Sequence, residues 1–244
     1  MFKNVIVFLI TFTFFATGLY AQASGKSGGK AAAPSTVGTP AALAKSVVDA
    51  HGGSKLAEMR SLVVKGSVNL SVFGQSTPAA FSMAISGEKY SFEINNPFQP
   101  LKQVHDGTNT FSSIQGFSLP PITSLGFPLL PRAGVDGYVV SELPEDKRKR
   151  KGFRITTPEG FFTDFFINDK TGRIRSYESS YDVMGRIVTT SVEIDDFQTV
   201  DGVIVPSRYS QRFDLGNMTA YAAFRAREIL INSTIEDSVF AVEK

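Results

Sequence analysis

Two histidines, His51 and His105, and no cysteine are the whole stock of imidazole and thiol chemistry in this 244-residue chain. Absence of cysteine removes thiolate nucleophiles and most zinc sites. His51 follows the last apolar position of a predicted helix, where a partly cationic ring suits the helix dipole. His105 precedes the Asp106-Gly107 turn. Both are better explained locally than as general bases. The acidic pair Asp195-Asp196 falls near a strand end, where adjacent side chains point to opposite faces and make a poor two-carboxylate site. No Gly-x-Ser-x-Gly elbow, phosphate loop or dinucleotide glycine pattern occurs. The expectation is a protein without catalytic residues, metal or cofactor. With 25 Lys and Arg against 23 Asp and Glu, it also lacks the basic excess that nucleic-acid binding requires.

What remains is apolar chemistry. The chain holds 21 Phe and 7 Tyr but no Trp, more phenylalanine than a core of this size calls for. From Gly107 to Pro131 there is no charged residue, and Pro120, Pro121, Pro128 and Pro131 forbid a central strand or long helix. This segment must be irregular, yet it is too apolar for an ordinary surface loop. Two readings stand: a plug of plain core, or a lid over a pocket for an apolar ligand. Under the second, Phe81, Met83, Phe92, Phe111, Phe117, Leu119, Ile122, Leu125, Phe127, Leu129 and Phe165 are the candidate lining. The run Lys147-Arg148-Lys149-Arg150-Lys151 is either a solvated turn or a docking patch for anionic headgroups.

These residues need a frame, and hydrophobic periodicity supplies one. Lys3, the apolar run Val5 to Ala16 and Ala21-Gln22-Ala23 read as a cleaved signal peptide over 1–23, followed by a Gly/Ala/Ser/Pro leader over 24–38. The folded domain is expected over 39–244. Thr39-Pro40 starts a helix carrying Leu43, Val47 and Ala50, and His51-Gly52-Gly53 stops it. From Leu62 the period becomes two, and strands follow one another to Ile231 with turn residues between them. The last run, Met218 to Ile231, is alanine-rich but keeps period two. Phe161, Phe162, Phe165 and Phe166 put aromatic rings on both faces of one strand, so it is either a central strand covered on both sides or has one face against the lid. The class is mainly β with α+β character: a curved antiparallel sheet forming an incomplete β-barrel, with a short N-terminal helix and an apolar lid or plug loop. Small inward alanines leave room for a cavity.

The order of several short segments is similar to that of the LolA-like periplasmic lipoprotein-sorting and lipid-carrier proteins. Val47-Val48-Asp49-Ala50-His51-Gly52-Gly53 precedes Leu62-Val63-Val64-Lys65-Gly66. Then come Ile167-Asn168-Asp169-Lys170-Thr171-Gly172, Asp201-Gly202-Val203-Ile204-Val205-Pro206 and Ile235-Glu236-Asp237-Ser238-Val239-Phe240. The resemblance runs from about Pro40 to the C-terminus. It implies an open barrel whose cavity carries acyl chains between membranes, with no catalytic residue. The expected protein is a periplasmic monomer that binds a lipid or lipoprotein acyl chain and meets an anionic membrane or envelope transport component transiently. The alternative is an envelope scaffold with a filled barrel and an apolar loop that docks a protein.

Overall fold

The computed structural model describes residues 38–242, apart from 73, 98–99, 115–118, 184 and 215–218. The expected signal peptide, nearly all of the leader, and Phe117 lie outside the described residues.

Helix α1 (Pro40–Ala50) begins where the sequence places it: the Thr39 hydroxyl accepts the Ala42 N–H at 3.3 Å and Pro40 takes the first turn. Its buried face is Ala44 and Val47, flanked by Leu43 and Val48. One turn, α2 (Ser54–Ala57), buries Leu56. No helix among the described residues is long and apolar enough to cross a membrane.

The strands are β1 (Ser61–Val72), β2 (Gln75–Ser86), β3 (Lys89–Asn95), β4 (Leu101–His105), β5 (Thr110–Ser112) and β6 (Val139–Ser141). They continue as β7 (Gly152–Thr156), β8 (Phe162–Ile167), β9 (Ile174–Val183), β10 (Arg186–Val200), β11 (Val203–Asp214) and β12 (Thr219–Ile231). The alanine-rich run is thus a strand, as its period two indicates.

One antiparallel sheet contains all twelve, in the order β5-β4-β3-β2-β1-β12-β11-β10-β9-β8-β7-β6. Every strand but β5 lies beside its successor in sequence, and one pair distant in sequence is joined. The first and last strands pair, Leu62 facing Ile231 and Val72 facing Ala220. β5 and β6, although consecutive, are the two free edges. Both are only three residues long, which limits edge-to-edge pairing with other chains. A bulge at Arg227 of β12, opposite the Lys65–Gly66 step of β1, bends β12 against β1. A Cβ at Gly66 would strike the Arg225 carbonyl and the Phe81 ring, so glycine admits Phe81 to the core.

The principal core lies on the concave face, where Leu62, Val64 and Val68 meet Val203, Val205, Phe224 and Ile229. On the other face of β1 and β2, Val63 and Ala84 are covered by Phe240 from a C-terminal 3₁₀ turn (Asp237–Phe240).

β8 is buried on both faces for different reasons. Inward, Phe165 stacks on Phe153 with ring centroids 5.3 Å apart. Outward, Phe166 is covered by the Arg150 guanidinium at 3.5 Å and Phe162 by that of Arg154 at 3.8 Å. Between these two rings sits Asp164, fully buried and clamped by Arg154 at 2.6 and 2.9 Å. Glu178 of β9 lies directly opposite Asp164, an unfavourable pairing of like charges that Lys147 resolves by reaching both, at 2.9 and 2.7 Å. Burial alone would raise the Asp164 carboxyl, but hydrogen bonds from Arg154 and Lys147 outweigh it and hold the group below its usual range. Glu178 is held low in the same way by Lys147 and Arg150.

The basic run is therefore mostly committed within the molecule. Arg150 also meets Glu178 at 2.9 Å, Arg148 meets Glu142 at 3.3 Å, and Lys151 meets Asp169 at 3.2 Å. Lys149 is exposed, with no acid partner among the described residues.

Lys147→Met should cost about 3 kcal/mol at pH 7, since it leaves two facing carboxylates short of a cation, whereas Lys149→Met should change stability by less than about 0.5 kcal/mol. The Lys147→Met deficit should shrink as pH falls toward the carboxylate range, because protonation relieves the repulsion. Denaturant titrations at both pH values check this.

Candidate functional site

The barrel is not filled. Between its two halves lies a cavity of about 350 Å³. One wall comes from β1, β2, β3 and β12: Leu70, Met83, Phe92, Ile94, Ala220, Ala222 and Phe224. The facing wall comes from β9, β10 and β11, where Tyr177, Ser179 and Tyr181 alternate inward beside Val188, Thr190, Tyr209, Gln211 and Phe213. Leu101 and the segment Leu119, Pro120, Ile122, Leu125, Gly126 and Pro128 close the top. Among the described residues the lining includes no Asp, Glu, Lys, Arg or His.

The uncharged segment divides between the two roles anticipated for it. Residues 119–126, with Pro128, line the cavity. The 3₁₀ turn over Phe127–Arg132 buries Phe127, Leu129 and Leu130 as core. The chain between edge strands β5 and β6 holds both parts and bridges the gap that the sheet leaves open.

Its position is fixed at both ends by polar side chains from strands. Gln103 of β4, 1% exposed, pairs with the Leu119 backbone in both directions: its amide N–H donates to the Leu119 carbonyl at 2.8 Å and its Oε1 accepts the Leu119 N–H at 2.8 Å. The second amide hydrogen goes to the Tyr90 hydroxyl at 2.7 Å. At the far end the Gly126 N–H donates to Thr163 Oγ1 at 3.1 Å, and the Tyr177 hydroxyl bonds the Phe127 backbone. Gly126 has φ +64, and a Cβ there would meet the Tyr177 ring at 2.7 Å. Only glycine fits both the backbone conformation and the contact.

His51 holds the same end from below. Its Nδ1 lies 2.7 Å from the Ile204 carbonyl, and its Nε2 lies 3.1 Å from the Ile174 N–H. A carbonyl only accepts and a backbone N–H only donates, so the proton is on Nδ1 and the ring is neutral. The ring packs edge-on against Phe127 and Phe197, at 5.6 and 5.4 Å. Burial pushes it below its ordinary 6.5, the Ile204 hydrogen bond offsetting part of that shift. The partly cationic, dipole-stabilised ring expected from the sequence is therefore replaced by a neutral, buried one: α1 ends beneath the sheet, not in water. His105 is local as expected, bonded to Thr110 Oγ1 at 3.0 Å and stacked on Tyr90.

Of the candidate lining, Met83, Phe92, Leu119, Ile122 and Leu125 come together around the cavity. Phe81, Phe127, Leu129 and Phe165 do not line it; each is buried in the core. Phe81 packs edge-on against Phe224 at 5.0 Å. Phe111 sits on edge strand β5 opposite Val104. Sequence reasoning assigned no role to Tyr177, Ser179, Tyr181, Thr190, Tyr209 and Gln211. Their signal was the spacing of two along β9 and β11, hidden because polar inward positions read as the wet face of a strand.

No family model and no curated protein matches this sequence. Solved structures do match. A DUF1329 family protein from Desulfovibrio piger aligns with a TM-score of 0.50 at 10% identity over 82% of this chain and 96% of its own. A LolA superfamily protein from Nitrosomonas europaea aligns with a TM-score of 0.51 at 13% identity over 84% of this chain and 99% of its own. The fold is LolA-like. At such identities the likeness is one of architecture: the LolA-like open barrel here is set by strand order and by its bridging segment, not by shared side chains.

Gln103→Leu removes two hydrogen bonds to the Leu119 backbone and should cost about 2 kcal/mol, with hydrogen exchange at the Leu119 amide at least tenfold faster. The unfolded His51 ring takes up a proton below 6.5 while the folded one resists. That stabilisation is complete above 6.5 and is lost as pH falls from 6.5 to the lowered value. Denaturant midpoints should therefore drop between pH 7.5 and 5.5. His51→Gln should be less stable by about 2 kcal/mol at pH 7.5 and show a flatter profile across that window.

Proposed function

We propose that this protein is a periplasmic, non-catalytic carrier that binds a lipid or lipoprotein acyl chain non-covalently in the cavity beneath residues 119–126. The observation that supports this most is the cavity itself: about 350 Å³, lined mainly by aliphatic and aromatic side chains, without a charged group among the described residues. A filled-barrel scaffold is at odds with a space of that size. The LolA-like fold agrees with the carrier reading, and the signal peptide read from the sequence agrees with export.

The magnitudes are those of a carrier. At about 30 Å³ for a group the size of water, the cavity takes roughly a dozen methylene-sized groups, which is one chain. Ten buried methylenes at about 0.8 kcal/mol each give about 8 kcal/mol, so micromolar affinity is the upper limit before the costs of association and of ordering the chain are subtracted. Binding of that strength is reversible, as loading from a membrane and hand-over to an envelope component require.

Mature protein purified from its own envelope without detergent should carry stoichiometric lipid in native mass spectrometry and lose it on denaturation. Leu125→Asp puts a carboxylate into the uncharged cavity and Ala220→Phe fills it. Each should lower retention at least tenfold while melting within a few degrees of the parent. An empty protein that also rejects added fatty-acyl probes would sink the carrier reading.

A further inference from the structure

We propose that the cavity is a ruler for one chain: it takes single-chain amphiphiles of the lysolipid class, is filled at about twelve carbons, and has Phe224 and Tyr177 as its stop. This rests on the acyl-chain reading above and narrows it. A two-chain phospholipid or a multiply acylated protein would seat only one of its chains.

Volume and length reach the same figure independently. The space of about 350 Å³ holds roughly a dozen groups at about 30 Å³ each. Length comes from the strands. On β11 and β12 the lining runs from Tyr209 and Phe224, which face each other, to Phe213 and Ala220, which also face each other. That is four residues along each strand, or about 14 Å at about 3.4 Å per residue. On β9 the lining from Tyr177 to Tyr181 is equally long and lies one inward position nearer the hairpin tips. An extended backbone advances about 1.2 Å per bond, and an extended alkyl chain has the same zigzag, so about 14 Å corresponds to about twelve bonds. A space about twelve carbons long that holds about twelve methylenes is one chain wide.

One end of this slot is sealed. Phe224 is stacked on Tyr209 with ring centroids 4.8 Å apart, and Phe81 packs edge-on against it at 5.0 Å. Phe81, and Val68 opposite Phe224 on β1, are core and do not line the cavity. Tyr177 is backed in the same way by Phe165, at 6.0 Å, and its hydroxyl is tied to the Phe127 backbone. At the other end Phe213 and Ala220 stand one residue from the strand ends Asp214 and Thr219. Arg212 and Asp214 pair there at the surface, at 2.8 Å. A charged or zwitterionic head loses its hydration in a space whose described lining holds no ion, so it stays at this rim while the terminal methyl meets Phe224. Between rim and stop, Ala220 and Ala222 keep the slot open by the smallness of their side chains.

The test titrates delipidated mature protein with lysophosphatidylcholines of eight, ten, twelve and fourteen carbons, each below its aggregation limit. Each methylene that enters the slot raises affinity by up to about fourfold. Affinity should therefore rise about tenfold for each two carbons from eight to twelve, and less than twofold from twelve to fourteen. Native mass spectrometry should count one ligand per protein. Dioctanoylphosphatidylcholine, with more chain carbons in two chains, should displace the twelve-carbon ligand at least tenfold less well than that ligand displaces itself. Phe224→Ala should move the plateau out, so that fourteen carbons bind at least fivefold tighter than twelve. If that variant fails to fold, Ala222→Leu should shorten the slot, lowering twelve-carbon affinity at least tenfold and eight-carbon affinity less than threefold. Affinity that keeps climbing past twelve carbons, two ligands per protein, or a plateau that neither substitution moves overturns the ruler and leaves the carrier reading standing. Failure of every ligand to bind overturns the carrier reading as well.

Discussion

A strand inside a sheet must satisfy its backbone on both sides, and β1 does so with β2 on one side and β12 on the other. That pairing of the first strand with the last organises the molecule. It turns two consecutive runs of strands into a single curved surface and moves the free edges to the middle of the sequence, at β5 and β6. The chain between those edges must then cross the open side of the barrel. A crossing segment faces the interior on one side, which is why residues 107–131 can be free of charge and rich in proline and still belong to a folded protein.

The crossing segment would collapse into the space below if apolar burial were the only force on it. Polar side chains prevent that by setting its height. Gln103 holds Leu119 through both backbone groups, and Thr163, Tyr177 and His51 hold Gly126 and Phe127. These contacts are buried or partly buried, where an unmade hydrogen bond is expensive, so the anchors are stiff although each contributes little net stability. Between them, Ile122 and Leu125 are suspended over a space too large to be a packing defect and too apolar to hold a charge.

Charge is kept to the outside of the same strands. Asp164 and Glu178 face each other on the outer surface of β8 and β9, and the cations of 147–154 cover them together with Phe162 and Phe166. Of the basic run, Lys147 and Arg150 help cover a doubly buried strand, while Arg148, Lys149 and Lys151 stay exposed at the surface. The inward face that carries Phe165 in the core and Tyr177 at the cavity is therefore backed by an ionic layer, which fixes β8 and β9.

The sequence by itself determined the elements: period-two runs and their turns, the Thr39-Pro40 helix start, the strand character of the last alanine-rich run, and the class of fold. These depend on local sterics and on which face of each run is apolar, and both are written in consecutive residues. It also marked 107–131 as the unusual segment. Only the tertiary structure decided that β1 pairs with β12, that residues 119–126 of the marked segment line the cavity while the turn after them is largely core, and that Phe81, Phe127, Leu129 and Phe165 fill the core where Met83, Phe92, Leu119, Ile122 and Leu125 line a cavity. Apolar side chains are chemically alike wherever they lie, so nothing local separates packing from binding. The same holds for polar ones: Tyr181, Tyr209 and Gln211 read as a wet face until the curvature of the sheet turns that face inward.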